Sequence, residues 1–197
     1  MAALIGAGIT PRFAAATFDS YRAEKDPQQK ALAKCRAYAE QFPANYRAGR
    51  SLLLTGNVGC GKTHLASAIV RTVVADHCRA LIIPAGDIVS IARASMVPGS
   101  GYTDRDVAVH LGGLDLLVID EVGAQKGSEY ELGLLHSIID RRYQAVLPTV
   151  LISNLGLHGT DKGPGVDSFI GKRALDRLRQ NGGQQVGFTW ESKRAAA

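Results

Sequence analysis

GNVGCGKT, residues 56–63, decides how the chain folds. It fits the pattern G-x-x-x-x-G-K-[ST] at every fixed position. Ahead of it, SLLLTG is a short apolar run and predicts a buried strand. Behind it, Leu65, Ala66, Ile69, Val70 and Val73 recur at helical spacing from residue 62 to about 76. Strand, glycine-rich loop and helix in that order form a phosphate cradle. The glycines let backbone N–H groups converge on phosphate oxygens. Lys62 reaches the β- and γ-phosphates, and the Thr63 hydroxyl is placed to hold Mg²⁺. Gly56, Asn57, Val58, Gly59, Cys60, Gly61, Lys62 and Thr63 are thus the candidate nucleotide-binding residues. His64 follows them and either faces the nucleotide base or packs inward.

The same alternation runs outward. RALIIPA, LDLLVID and TVLISN predict three more buried strands, and QQVGFTWE a last one that carries Trp190. Helices are expected over residues 87–94, over a short segment capped by Thr103 or Asp104, over 129–146, and as one piece over SFIGKRALDRLRQ. Ahead of the first strand, residues 1–26 read as irregular, with Phe18 and Tyr21 packed on a domain edge. From Pro27 a single helical rhythm runs through Ala31, Cys35, Tyr38 and Phe42. Buried strands alternating with helices predict an α/β fold, a parallel sheet covered on both faces.

A phosphate cradle needs an acid at the end of another buried strand. LLVIDE supplies Asp120, to hold Mg²⁺, and Glu121, to polarise the attacking water. The paired acids favour a hydrolysing ATPase over a kinase, and no guanine-reading motif is present. Asn154 ends the fourth strand. It either positions water against the γ-phosphate or begins a turn. In GKRALDRLRQ, Arg173 and Arg177 are four apart and share a helix face. That face is either solvated or supplies an arginine to a neighbour's nucleotide.

The 197 residues suffice for one α/β domain with a short appendage. No apolar run approaches the roughly 18 residues of a membrane span, so no membrane association is expected. The opening residues lack the basic and apolar regions of a signal peptide, which predicts a cytoplasmic protein. Cys35, Cys60 and Cys78 are too widely spaced for a zinc site, and their odd number argues against a disulfide framework. A net charge of +5 suits a polyanionic partner.

GNVGCGKTHLA, LDLLVIDEVG, IIDRRYQ, PTVLISN, KRALDRLR and a closing FTWES with Arg194 together resemble the DnaC-type replicative helicase loaders. These are AAA+ ATPases akin to IstB-type transposition ATPases and to the initiator DnaA. The resemblance implies a P-loop NTPase with an AAA+ αβα sandwich, a five-stranded parallel sheet in the order 5-1-4-3-2, and no C-terminal lid domain. It implies residues 1–49 as an N-terminal linker and helix, and 50–197 as the ATPase domain. Asn154 then sits between the cradle strand and the acid strand. Arg177 is favoured as the arginine donated in trans, with Arg173 assisting. Implied partners are ATP and Mg²⁺, single-stranded DNA, a replicative helicase, and further copies of the chain in a head-to-tail or helical assembly. The segment with which loaders grip the helicase is expected to be absent here. An insert over residues 93–111 corresponds to the one that forces a spiral.

Single-stranded DNA sites pair cations with stacking aromatics. Arg93, Lys126, Ser128 and Tyr130 are candidates, with Tyr130 alternatively a packed aromatic. Competing readings are a transposition-type ATPase that binds duplex DNA, a non-catalytic DNA- or partner-binding module, and a nucleoside kinase.

Overall fold

The computed structural model describes residues 6–161 and 163–192. Arg194, which ends the closing stretch, lies outside them. Five parallel strands form the sheet: β1 (Leu52–Gly56), β2 (Ala80–Pro84), β3 (Leu116–Val122), β4 (Thr149–Ser153) and β5 (Gln184–Phe188), in the order β2-β3-β4-β1-β5. This is the expected order 5-1-4-3-2.

The strands sort their side chains by alternation, because successive residues point to opposite faces. Leu52, Leu54, Leu116, Val118, Val150 and Ile152 face one core. It is closed by α1 (Asp26–Glu40) and α3 (Lys62–Ala75). Leu53, Leu117, Ile119 and Leu151 face the other. That side is closed by α4 (Ala85–Ala94), α5 (Asp104–Gly112), α6 (Glu129–Gln144), α7 (Asp167–Ile170) and α8 (Lys172–Arg179). Phe18 and Tyr21 are buried in the first core, as expected of a domain edge.

Two helices predicted as single pieces are split. Helix α1 ends before Gln41, and α2 (Phe42–Ala48) starts anew. Pro43 has no N–H to donate and its ring clashes with the carbonyl four residues back, so one helix cannot pass through it. The second break is at Gly171, which separates α7 from α8 with φ 86° and ψ 144°. Only glycine adopts that backbone at little cost. Trp190 also falls beyond the end of β5 rather than on it.

Arg142, in α6, is fully buried. Its Nε donates to Thr149 Oγ1 at 2.9 Å, and Nη1 donates to the carbonyls of Leu111 and Leu114 at 3.0 and 2.7 Å. Nη2 donates to the Pro148 carbonyl. One guanidinium therefore ties the end of α5, the approach to β3 and the start of β4. Burial holds it below the usual arginine value, at about 10. No helix among the described residues is long and apolar enough to cross a membrane.

Candidate nucleotide-binding site

The carboxyl ends of β1, β3 and β4 open onto one cleft of about 350 Å³. Ligands of open α/β sheets sit at this end, where strand order reverses. Residues 58–64, Asp120, Glu121, Ser153 and Asn154 all line it. Gly56 and Asn57 enter through Lys62. Its Nζ donates to their carbonyls at 2.7 and 2.6 Å, and the side chain is almost wholly buried. β1, flanked by β4 and β5, carries the loop to this position.

Thr63 Oγ1 donates to Asp120 Oδ2 at 2.9 Å, joining the cradle helix to the acid strand. Asp120 Oδ1 accepts the Glu121 N–H at 2.7 Å. Asp120 is buried, and burial pushes its carboxyl above the ordinary aspartate value. The Thr63 and Glu121 donors pull it down and the Glu121 charge raises it further, while Lys62 lowers it. Two hard oxygens side by side at the mouth of a phosphate cradle fit a magnesium ion, which takes one or two protein oxygens and completes its shell with phosphates and water. No cluster of three or more His, Cys, Asp or Glu that could hold a metal alone exists among the described residues.

The β3–β4 register slips between Ile119 and Val122: Ile119 faces Leu151, but Val122 faces Ser153. The extra residue is a bulge, a device that re-aims side chains at sheet ends. Glu121 sits on it, exposed, with φ 56°. Ser153 Oγ secures the bulge by donating to the Val122 carbonyl at 2.5 Å. β4 lies between β1 and β3, so Asn154 emerges between cradle and acids, exposed to the cleft.

His64 packs, but against the N-terminal segment rather than the sheet. Its Nε2 lies 2.9 Å from the Thr17 carbonyl and 3.2 Å from Ser20 Oγ, and its ring meets Tyr21 edge-on. That segment supplies cleft residues that sequence reading missed: Arg12, Phe13, Tyr21 and Arg22. They belong to no motif, and only the folded chain brings them to the loop.

The two arginines of α8 part company. Arg177 is largely buried, ion-paired to Asp140 of α6 and stacked on the Tyr143 ring at 5.1 Å. Arg173 is exposed. The expectation that Arg177 is donated to a neighbour therefore meets a competing contact inside its own chain.

Arg93, Ser128 and Tyr130 come together, yet away from the cleft. Ser128 is the N-cap of α6, its side chain accepting from Glu131 N, and Glu131 returns the bond in a capping box. Arg93 Nη2 donates to Glu131 Oε1 at 2.9 Å and lies over the Tyr130 ring at 5.8 Å. Lys126, two positions before Ser128 in the chain, is exposed. The three cysteines are free thiols; burial pushes Cys35 up to about 12.

Residues 13–195 match the family model described as "IstB-like ATP binding protein". The replicative helicase loader DnaC of Escherichia coli K12 is 35% identical over 188 residues, covering 95% of this chain and 73% of that protein. Its counterpart in Buchnera aphidicola subsp. Acyrthosiphon pisum is 33% identical over 95% of this chain and 72% of its own length. Among solved structures, a DnaC helicase loader superposes with a TM-score of 0.76 at 22% identity, covering 91% of this chain and 99% of that one. The replication initiator DnaA bound to AMPPCP and single-stranded DNA gives 0.72 at 19% identity, over 93% of this chain and 51% of its own. The two superpositions bear on the fold alone, which is that of AAA+ domains.

Proposed function

The chain belongs to the IstB-like ATP-binding proteins, and from that premise we propose that it is the ATPase of a helicase-loading step in DNA replication. The observation that carries this reading is the Thr63–Asp120 hydrogen bond, with Lys62, Glu121 and Asn154 around the same cleft. A P-loop helix and an acid strand joined this way suit ATP–Mg²⁺.

The triphosphate lies across residues 56–63, on backbone N–H groups and the N-terminal end of α3. Lys62 exchanges its two carbonyl partners for phosphate oxygens. Thr63 and Asp120 hold Mg²⁺, which, when bound, neutralises charge on the phosphates. Glu121 takes a hydrogen bond from the attacking water, and Asn154 orients that water in line with the γ-phosphate. The bulge beneath Glu121 aims its carboxylate before substrate arrives.

The arginine that neutralises the transition state comes from the next copy in a head-to-tail assembly. We assign it to Arg173, because Arg177 is occupied by Asp140. Single-stranded DNA binds along the assembly, with Lys126 and the Arg93–Tyr130 pair as its contacts. Arg93 must then loosen its hold on Glu131, so DNA contact competes with the α6 cap. The replicative helicase is the partner.

The family model also covers transposition-type ATPases, and DNA form separates the two readings. ATP turnover by the full chain should rise with single-stranded DNA, and Lys62→Ala should abolish ATP binding. Stimulation by duplex DNA alone would move the assignment to the transposition type.

A further inference from the structure

The Cys60–Gly61 peptide of the cradle is gripped by both ends of the chain. Tyr21 Oη donates to the Cys60 carbonyl at 3.0 Å, and Trp190 Nε1 donates to the same carbonyl at 3.2 Å. The loop answers from its own side. Cys60 Sγ donates to the Trp190 carbonyl at 2.8 Å. Asn57 Nδ2 donates to the carbonyls of Thr189 and Trp190 at 3.2 and 3.1 Å. Asn57 N–H donates to the Phe188 carbonyl at 2.8 Å. Both rings are buried, Tyr21 at 6% and Trp190 at 8% exposure.

A second observation is independent of these bonds. The loop glycines lack a Cβ where the two ends press on them. A Cβ on Gly56 would lie 2.2 Å from the Phe188 carbonyl oxygen, on Gly59 2.0 Å from Ser192 Oγ, and on Gly61 2.6 Å from the Tyr21 ring. The glycines of this loop thus serve a close approach of protein to protein, besides any approach to phosphate.

We propose that Tyr21 and Trp190 are positioning residues for the nucleotide, a two-ended clasp that orients the Cys60–Gly61 peptide. In a trans peptide the carbonyl and the following N–H point in opposite directions. Two donors holding the Cys60 oxygen outward therefore aim the Gly61 N–H away from them, toward the phosphate side of the loop. Without the donors that peptide is held less firmly, and the alignment of its N–H in the cradle weakens. This rests on reading residues 56–63 as the nucleotide cradle.

Tyr21→Phe and Trp190→Phe each remove one donor and keep an aromatic ring. In the full chain each should weaken ATP binding roughly five- to tenfold, the worth of one hydrogen bond, and the pair by more than either. The change should fall on KM rather than kcat, and should exceed any change in the melting temperature of the nucleotide-free protein. A purely structural role would lower the melting temperature and leave the affinity of the folded fraction as in wild type; that result overturns the clasp. Trp190 is the chain's one tryptophan, so its emission is a second readout. ATP–Mg²⁺ should shift it in the wild type and not in Lys62→Ala; an emission unmoved by bound ATP also overturns the clasp. Failure of the wild-type chain to bind ATP at all would overturn the cradle reading itself, and the clasp with it.

Discussion

At the scale of single residues, the site trades stability for charge. Asp120 is held above its unfolded value by burial. Below the unfolded value both states are protonated and the group is neutral in the stability balance. Between the unfolded value and the raised folded value the unfolded chain gives up its proton first, so stability falls as pH rises through that window, and the loss is complete above the folded value. Asp120→Asn keeps an oxygen for the Glu121 N–H and removes the buried charge. Its melting temperature at pH 7 should exceed that of the wild type. The advantage should vanish in acid, below the unfolded aspartate value. The same variant should lose hydrolysis and the Mg²⁺ dependence of nucleotide affinity. Thermal melts across pH, with and without Mg²⁺, check both; a variant less stable than wild type at pH 7 would refute the assignment of burial as the dominant cause.

At the scale of elements, α8 sorts its two arginines between a neighbouring helix and solvent. Gly171 turns the backbone so that α8 lies against α6, with Arg177 facing Asp140 and Arg173 facing solvent. A Cβ at Gly171 would meet only ordinary contact, His136 Nδ1 at 3.5 Å. The cost of Gly171→Ala is therefore backbone strain, about 1–3 kcal/mol by denaturant unfolding. The two arginines should separate cleanly. Arg173→Ala should bind ATP normally and lose turnover on the order of a thousandfold. Arg177→Ala should lose about 1 kcal/mol of stability or less, since Asp140 is partly exposed and screened, and keep most of its turnover. The reverse pattern would return the role to Arg177. Sequence periodicity placed both arginines on one helix face, but spacing carries no information on which of them a neighbouring helix captures. Likewise Pro43 and Gly171 were visible as residues, while the breaks they impose were masked by apolar rhythms that continue across them.

At the scale of the whole molecule, the legible part of the site is the part that lies on strand ends. Asp120, Glu121 and Asn154 follow the apolar runs of β3 and β4, Lys62 and Thr63 open the helix that follows β1, and the strand order brings these ends together. What sequence hid is contributed across long separations: Arg12, Tyr21 and Trp190 reach the loop from opposite ends of the chain, and the β3 bulge depends on its pairing with β4. A site assembled from remote parts of one chain invites completion by a second chain, and that can be tested without knowing the oligomer size. Lys62→Ala chains should not hold ATP but should still present Arg173. Arg173→Ala chains should hold ATP but present no arginine at that position. Each alone should be inactive. Mixed in equal amounts with single-stranded DNA, about one interface in four pairs an intact cradle with an intact arginine if chains assemble head to tail at random. Turnover should then recover to about a quarter of the wild-type rate per chain and fall on dilution, because association is governed by mass action. If Arg173 instead serves the cradle of its own chain, no mixture can regain activity, and the mixed sample will stay as inactive as its parts.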